Sequence, residues 1–420
     1  MLAGGSGHGP PCKAAADPIC ALNLYLTSPI DNAARKDTIM APRHIALMAL
    51  LALCALMVVG QLYVTIPLTA DLAARHALPP AQATLAGTAF GIAYALGFLV
   101  LGPLSDRLGR RRVLVGGLLA TAAATALVGL AGSFAWLLAA RALQGFVAAA
   151  VPPTALSLVT ETLPPRQRPW GISVMSLAFL SAAPLAQVFG AAVAPAGLPT
   201  IMLSMAPAFV LGAVGLAVIV APPTAAVPTG PSAGSHDADP TPSILRDRQI
   251  LAAWAAAATV LFGFVSFFAG LAALGPAVSA DLDTLRLATL PPLVMVFAAA
   301  AIARRAGPPV AAALGVTAAA VGLALAGIGT GAWMLAGGVV LAAGVAIAVP
   351  GLIGTIAARA APANRAFALA VYTFVLFVGA SAAPPVAQAL AAQGVLAVVL
   401  PPAGLMAVAA VMLLLARTPR

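Results

Sequence analysis

Long runs of apolar residues recur along this chain and limit what it can fold into. Segments 45–66, 113–131 and 395–415 carry no charged side chain, and each has the length of about 20 residues that a helix needs to cross a bilayer. Only 8% of the 420 residues are charged, whereas soluble domains keep roughly a quarter of their residues charged. The sequence therefore predicts an all-α membrane protein and excludes a water-soluble globule.

Charged residues and Gly/Pro turns divide the chain into predicted spans. We expect twelve transmembrane helices at 44–66, 83–103, 113–131, 134–158, 170–194, 199–221, 249–272, 286–304, 310–328, 331–357, 367–391 and 395–416. Segment 222–248 has the polar, flexible composition of a linker. The predicted organisation is a disordered cytoplasmic tail at 1–43, a six-helix bundle at 44–221, a cytoplasmic linker at 222–248 and a second six-helix bundle at 249–420. Met40 is an alternative start, in which case the residues before it are an extension rather than a tail.

The arginines predict how the spans are oriented. Cytoplasmic loops of membrane proteins are enriched in Lys and Arg. If the N-terminus is inside, the outer loops carry only Arg75 and Arg286, and the other loop arginines face the cytoplasm. Both termini are then cytoplasmic. Because arginine outnumbers lysine nineteen to two in an alanine-rich chain, we expect a bacterial inner-membrane protein. The net charge of +10 lies in short loops between spans and does not indicate a nucleic-acid partner.

The two halves of the chain repeat each other at a spacing of about 198 residues. Trp136 in a Gly-Ser-Phe-Ala-Trp-Leu-Leu-Ala segment recurs as Trp333 in Gly-Thr-Gly-Ala-Trp-Met-Leu-Ala. The segment Ser-Ala-Ala-Pro at 181–184 recurs at 381–384. Coincidence in an alanine-rich chain is the alternative interpretation. Two pseudo-symmetric bundles related by an axis along the membrane normal are a transporter architecture.

A motif between the second and third predicted helices indicates a family. Its defining positions are Gly102, Asp106, Arg107, Gly109, Arg110 and Arg111. The motif resembles the signature of the major facilitator superfamily, Gly-x-Leu-x-Asp-Arg-x-Gly-Arg-Arg/Lys, at the same place in the fold. The resemblance implies a cytoplasmic gate in which Asp106 latches the halves against the start of helix eleven. From the residues themselves, Gly109 suits a turn with positive φ, and a basic loop that only sets topology is the alternative.

A second motif lies within the fourth predicted helix. Arg141, Gln144 and Gly145 resemble the family's Arg-x-x-x-Gly motif. A charge at this depth is usually functional or paired, and counting from the paired tryptophans puts Gly338 at the equivalent position. We therefore expect Arg141 to serve coupling or substrate binding, together with Gln144, Gly145 and Asp71 at the outer mouth. The alternative is an arginine that reaches outward or bonds backbone carbonyls.

Polar residues in the spans are candidates to line a central cavity. They are Gln61, Tyr63, Thr65, Tyr94, Gln187, Tyr372 and Gln388. Buried amides and hydroxyls also join helices to one another, which is the alternative for each. Pro184 and Pro384 are expected to kink their helices. Helix five keeps only the proline and one glycine of the Gly/Pro-rich motif found in antiporter members of the family.

The resemblance to the twelve-span drug and sugar efflux branch implies secondary active export, with protons as the counter-ion and multidrug resistance as a phenotype. The predicted spans contain no carboxylate, which argues against proton coupling, and they suit a small apolar or neutral substrate. Uptake or facilitated transport of a sugar or organic acid is the main alternative, and a transporter-like sensor is another. We expect a monomer in the bilayer, with no enzymatic activity, no cofactor and no metal.

Overall fold

The structure is a computed structural model, and it describes residues 42–101, 104–220, 244–275, 282–361 and 364–416. Helices account for nearly all of these residues. A helix pairs every interior backbone N–H and C=O within one segment, which is what a chain surrounded by lipid requires. From Ala46 onward the described residues form one compact unit, and every contact discussed below lies within it.

Twelve helical segments follow one another within the described ranges. They are α1 Pro42–Tyr63, α2 Pro80–Leu101, α3 Arg110–Gly129, α4 Phe134–Thr162, α5 Arg168–Val193, α6 Gly197–Ile219, α7 Arg248–Leu274, α8 Leu282–Ala306, α9 Pro308–Ala326, α10 Ala332–Arg359, α11 Arg365–Ala391 and α12 Val395–Leu415. Short helices at Thr69–Arg75 and Leu104–Leu108 lie in the first two connections.

Eleven stretches of the described chain are long and apolar enough to cross a bilayer, and one of them, Trp170–Ile219, has 50 residues. A single crossing needs about 20 residues. The stretch is interrupted by a 3₁₀ turn at Ala194–Ala196 and by Gly197, whose φ is +74°. It therefore divides into α5 and α6, which fits the twelve crossings that the sequence predicts. Large apolar side chains such as Leu211 and Val218, 71% and 78% exposed, form the lipid-facing surface.

Helix boundaries differ from the predicted ones mainly at α8. This helix begins at Leu282, four residues before the predicted start, and contains Arg286. Arg286, predicted as the first residue of this span, therefore lies one helical turn after the observed start. Residues 1–41 of the predicted tail and residues 222–243 of the predicted linker lie outside the described residues. Asp247 caps α7 by accepting from the backbone N–H groups of Gln249 and Ile250.

Helices pack first within each half and then across the halves. In the first half α3 packs against α6 and α4 against α2, and in the second α9 packs against α10 and α7 against α11. Across the halves, α2 contacts α11 and α5 contacts α8. These two contact regions are called seams below. Pro184 lies inside α5 and Pro384 inside α11, so each seam includes a proline-containing helix.

Backbone geometry confirms the internal repeat. Gly109 has φ +89° and Gly307, 198 residues later, has φ +90°. Gly197 and Gly394, 197 residues apart, have φ +74° and +96°. Both pairs lie at turns where a residue with a Cβ would be strained. The positive φ predicted for Gly109 is thus observed, and its counterpart marks the same turn in the second half.

Candidate functional site

Arg141 lies at the centre of the first half with none of its surface exposed. Its Nε donates to the carbonyl oxygen of Ala86 at 3.1 Å, its Nη1 to Oε1 of Gln144 at 2.6 Å and its Nη2 to the carbonyl oxygen of Gln61 at 2.7 Å. The guanidinium also lies 4.5 Å from the ring centroid of Phe90. All three acceptors are neutral, and no described residue forms an ion pair with Arg141.

The free energy of placing this charge in the membrane is offset by its contacts. Inserting an arginine at mid-membrane costs about 2.5–3.5 kcal/mol on insertion scales. Hydrogen bonds to charged groups contribute about 1.5–3 kcal/mol each, and a cation over a ring adds about 0.5–2 kcal/mol. Three such bonds and Phe90 are therefore sufficient to hold Arg141 without a counter-ion.

Gln144 extends the network to two more helices. Its Nε2 donates to Oε1 of Gln61 at 3.1 Å and to Oγ1 of Thr125 at 2.7 Å. Gln61 in turn directs its Nε2 toward Sδ of Met205 at 3.3 Å. The amides and the threonine hydroxyl are fully buried.

The network therefore joins α1, α2, α3, α4 and α6. Such a set of bonds ties five of the six helices of the first half into one unit. Arg141 bonds two backbone carbonyls, as the alternative interpretation anticipated, and it lines neither the cavity nor the crevice described below. Gly145, next to Gln144, has a packing role: a Cβ there would overlap the carbonyl group of Phe90.

The basic loop between α2 and α3 joins helix ends. Arg110 forms an ion pair with Glu161 at the end of α4 at 3.0 Å and also donates to Oγ of Ser105. Arg111 donates to the carbonyl oxygen of Ala217 in the last turn of α6 at 2.6 Å, where a cation also complements the helix dipole. Arg107 is exposed. These contacts agree with a loop that anchors one face of the bundle.

The structure does not test the predicted latch at two positions of the motif. Gly102 lies outside the described residues, and so does the side chain of Asp106, whose backbone belongs to the helix Leu104–Leu108. The latch against the start of α11 stays a prediction.

A cavity lies between the halves at the end of α1 and α2 remote from the arginine loop. Its volume is about 210 Å³, and Thr84, Pro384 and Gln388 are among its lining residues. A neighbouring crevice is lined by Tyr63, Thr65 and residues of α7 and α11. Drug-sized ligands occupy sites of about 300–1,000 Å³. The space is therefore smaller than a substrate site and belongs to a closed seam.

The α2–α11 seam is closed by a backbone-to-side-chain contact. Oγ1 of Thr88 donates to the carbonyl oxygen of Ser381 at 2.9 Å. One helical turn further along α2, Gly91 lies so close that a Cβ would overlap Oγ of Ser381. Rings of Tyr94 and Phe377 follow, with centroids 4.8 Å apart and nearly perpendicular. Glycine at position 91 is thus what allows the two halves to touch here.

The remaining cavity candidates lie outside the cavity and the crevice. Tyr94 and Gln187 are fully buried, and neither Oη of Tyr94 nor either amide atom of Gln187 has a hydrogen-bond partner. Tyr372 is buried and donates to the carbonyl oxygen of Val349 in α10 at 3.5 Å. Gln61 belongs to the Arg141 network rather than to the cavity. Sequence reasoning missed Arg286, a second arginine whose side chain is only 3% exposed.

Asp71 does not meet Arg141. It lies exposed in the short helix Thr69–Arg75, next to cavity residues Thr69 and Ala70. Leu72 of that helix and Ala140, next to Arg141, belong to one buried apolar cluster. The described carboxylate side chains, those of Asp71, Glu161, Asp247 and Asp283, all lie at helix ends or in connections rather than at mid-span.

Comparison with known proteins decides the family. The family profile described as Major Facilitator Superfamily matches residues 48–308, which is more than half of the chain. The chain belongs to the major facilitator superfamily. It is a multi-pass membrane protein with the transporter fold of that family, and the resemblance inferred from the loop motif is confirmed.

Part of the chain is similar to an export protein. A segment of 85 residues is 35% identical to the tetracenomycin C resistance and export protein of Streptomyces glaucescens. The match covers 20% of this chain and 16% of that relative's length.

Solved structures of two transporters share the fold. The human organic anion transporter MFSD10 (TETRAN) is 20% identical with a TM-score of 0.66, over 89% of this chain and 100% of that one. A bacterial homolog of the human lysosomal transporter Spinster, in an inward-facing and occupied conformation, is 17% identical with a TM-score of 0.67, over 90% of this chain and 97% of that one. At such identities the likeness concerns the fold alone.

Proposed function

We propose that this major facilitator protein exports a small apolar or neutral molecule by alternating access, with both termini in the cytoplasm of a bacterial inner membrane. The observation that carries the proposal is the contrast between the halves and the seams. The first half is tied together by the buried polar network of Arg141, whereas the α2–α11 seam between the halves consists of a glycine contact at Gly91, one hydrogen bond from Thr88 and ring contacts to Phe377. A few contacts of this kind are easily exchanged as two rigid units rock.

Burial along the helices supports the same proposal. Five consecutive residues of α5, 180–184, are all buried, whereas only Met175 and Ala178 are buried between 172 and 179. Five consecutive positions cover the whole circumference of a helix. Helix α5 is therefore enclosed by protein near Pro184, and its side chains are less buried toward its start at Arg168. This is expected of a transporter that is closed on one side.

Export is favoured over uptake by the similarity to the tetracenomycin export protein, which also suggests tetracenomycin C as the first test compound. Cells that overproduce the chain should tolerate several-fold more of the compound and accumulate less of it. Inside-out vesicles should take it up, and right-side-out vesicles should not. Energised uptake by right-side-out vesicles alone would contradict the proposed direction.

Proton exchange is the proposed driving reaction, with Asp71 beside the cavity as the candidate carrier. A proton-gradient uncoupler should then abolish accumulation in inside-out vesicles. Asp71→Asn should do the same, whereas Arg75→Gln on the same short helix serves as the matched control. Transport that survives both the uncoupler and Asp71→Asn would assign the protein to solute exchange or facilitated transport instead.

A further inference from the structure

Gln187 is an unusual residue on α5, one of the two helices of the α5–α8 seam. Its side chain is fully buried, yet neither Nε2 nor Oε1 has a hydrogen-bond partner. Leaving a buried polar group unpaired destabilises a folded protein. Buried amides are almost always paired, so a partner from outside the protein is indicated.

Arg286 is a second unpaired donor in the same seam. Its side chain is 3% exposed, and its Nε has no partner. Its Nη1 binds Oδ1 of Asp283 at 2.8 Å, and the Asp283 side chain is 53% exposed. The guanidinium is thus neutralised by Asp283 on one edge and offers a free N–H on another.

The two residues lie at similar depths on helices that touch. The segment Leu282–Ala288 of α8 packs against α5. Gln187 lies six residues before the end of α5, or about 9 Å, and Arg286 lies four residues after the start of α8, or about 6 Å. Since both remain unpaired, they do not bond each other. A third group that hydrogen-bonds to each of them would satisfy both.

We infer that this pair, the unpartnered amide of Gln187 and the unpartnered Nε–H of Arg286, binds a neutral oxygen function, a carbonyl or hydroxyl, on the transported molecule. The inference names the substrate chemistry of the proposed transporter and rests on that proposal. Asp283 already balances the charge of Arg286, so a carboxylate would add an uncompensated negative charge at a buried site. A carbonyl or hydroxyl oxygen accepts from both N–H groups, and a hydroxyl also donates to Oε1 of Gln187.

Thermal unfolding of the purified, ligand-free protein gives the first test. Gln187→Met keeps the size of the side chain and removes the unpaired amide. If the amide waits for a ligand, the variant should melt higher, by about 2 °C or more. Gln393→Met, on an exposed glutamine between α11 and α12, is the control and should leave the melting temperature unchanged. An unchanged or lower midpoint for Gln187→Met means that water or protein already satisfies the amide, and it overturns the inference.

Binding of matched probes gives the second test. 2-Acetylnaphthalene and 2-isopropylnaphthalene have nearly the same shape, but only the first has a carbonyl oxygen. The wild-type protein should bind the ketone about tenfold more tightly, since one such hydrogen bond contributes about 1.4 kcal/mol. Quenching of tryptophan fluorescence reports binding. Gln187→Met should remove this preference, and Gln393→Met should retain it.

Each remaining result has a definite meaning. Equal affinity of the wild type for the two naphthalenes contradicts the site. Tighter binding of 2-naphthoate than of the ketone contradicts the neutral class and assigns an anion site. If export fails in cells while Gln187→Met still melts higher and loses the preference, the proposed direction falls and the binding site stands.

Discussion

Equivalent helices in the two halves of the protein are joined to their neighbours by different interactions. In α4 of the first half, Arg141 and Gln144 bond four other helices through a buried polar network. In α10 of the second half, counting from the paired tryptophans places Gly338 and Leu341 at these positions. Phe267 and Leu285 fill the space beside Gly338. The repeat therefore conserves the path of the helices and not the interactions that stabilise them.

A series of glycines joins α9 and α10 in the second half. At each of five glycines along α9 and α10 a Cβ would collide with the backbone of the facing helix; these are Gly315, Gly322, Gly337, Gly344 and Gly351. They recur every seven residues on each helix, that is, every two turns on one face. Close backbone approach of this kind is a usual way to pack helices in lipid, where apolar side chains gain little from leaving the bilayer. A polar network and a glycine face can thus perform the same mechanical task.

The largest effect is expected from breaking the glycine face. Gly344→Leu would place a side chain against the backbone nitrogen of Ala319, and neither backbone can yield without separating α9 from α10. We expect destabilisation of about 3 kcal/mol or more, seen as loss of the monodisperse peak in detergent. Gly404→Leu is the matched control, because no atom lies within 4 Å of a Cβ at that exposed position. Normal yields of both variants would refute the idea that the glycines join these helices.

Breaking the polar network of the first half should have the next largest effect. Arg141→Met leaves the carbonyl groups of Ala86 and Gln61 without their donor, while it also removes a buried charge. The two terms oppose each other, so we expect a net destabilisation of about 2 kcal/mol with folded protein retained, and transport reduced at least tenfold. Leu143→Met, on the exposed face of α4, is the control.

Arg141→Lys sharpens this test. A lysine carries the charge but lacks the planar fork that reaches three acceptors at once. If the geometry of the network matters, the lysine variant should transport as poorly as the methionine variant. Full transport by Arg141→Lys would show that only the charge is required.

Only part of the difference between the polar network of the first half and the glycine contacts of the second half can be predicted from the sequence. Depth in the helix singled out Arg141, and the requirement for positive φ singled out Gly109, because both depend on local chain position. The partners of Arg141 come from residues 55 and 80 positions away, and no periodicity within one helix specifies them. Arg286 was predicted as the first residue of a span, whereas the helix begins at Leu282, because a charge was taken to end the span. The seven-residue spacing of glycines in α9 and α10 is visible in the sequence, and it predicts close packing of these two helices.

The seam between the halves offers a test of whether they move as units. Gly91→Ala pushes α2 away from Ser381 and from the side chain of Leu62. If overpacking destabilises the closed state of this seam by about 1.4 kcal/mol, the population of the open state should increase about tenfold. A cysteine at Thr84, which lines the cavity, should then react correspondingly faster with an impermeant maleimide.

Two further variants check the origin of this effect. Ser381→Gly removes the side chain that Gly91→Ala meets, so the double variant should recover part of the wild-type labelling rate. Gly116→Ala adds a methyl group in open space on α3 and should not change the rate. If Ser381→Gly gives no recovery, the seam is not closed by this contact.

The smallest effect concerns a polar bond in the second half. Nε1 of Trp254 in α7 donates to the carbonyl oxygen of Ala368 in α11 at 3.0 Å. If glycine contacts rather than polar bonds hold this half together, Trp254→Phe should cost only about 1 kcal/mol, measured as a small decrease in melting temperature. Trp333→Phe, at a side chain 52% exposed, controls for the loss of an indole. A decrease as large as that of Arg141→Met would remove the distinction between the halves, because a single polar bond would then support the second half as strongly as the network supports the first.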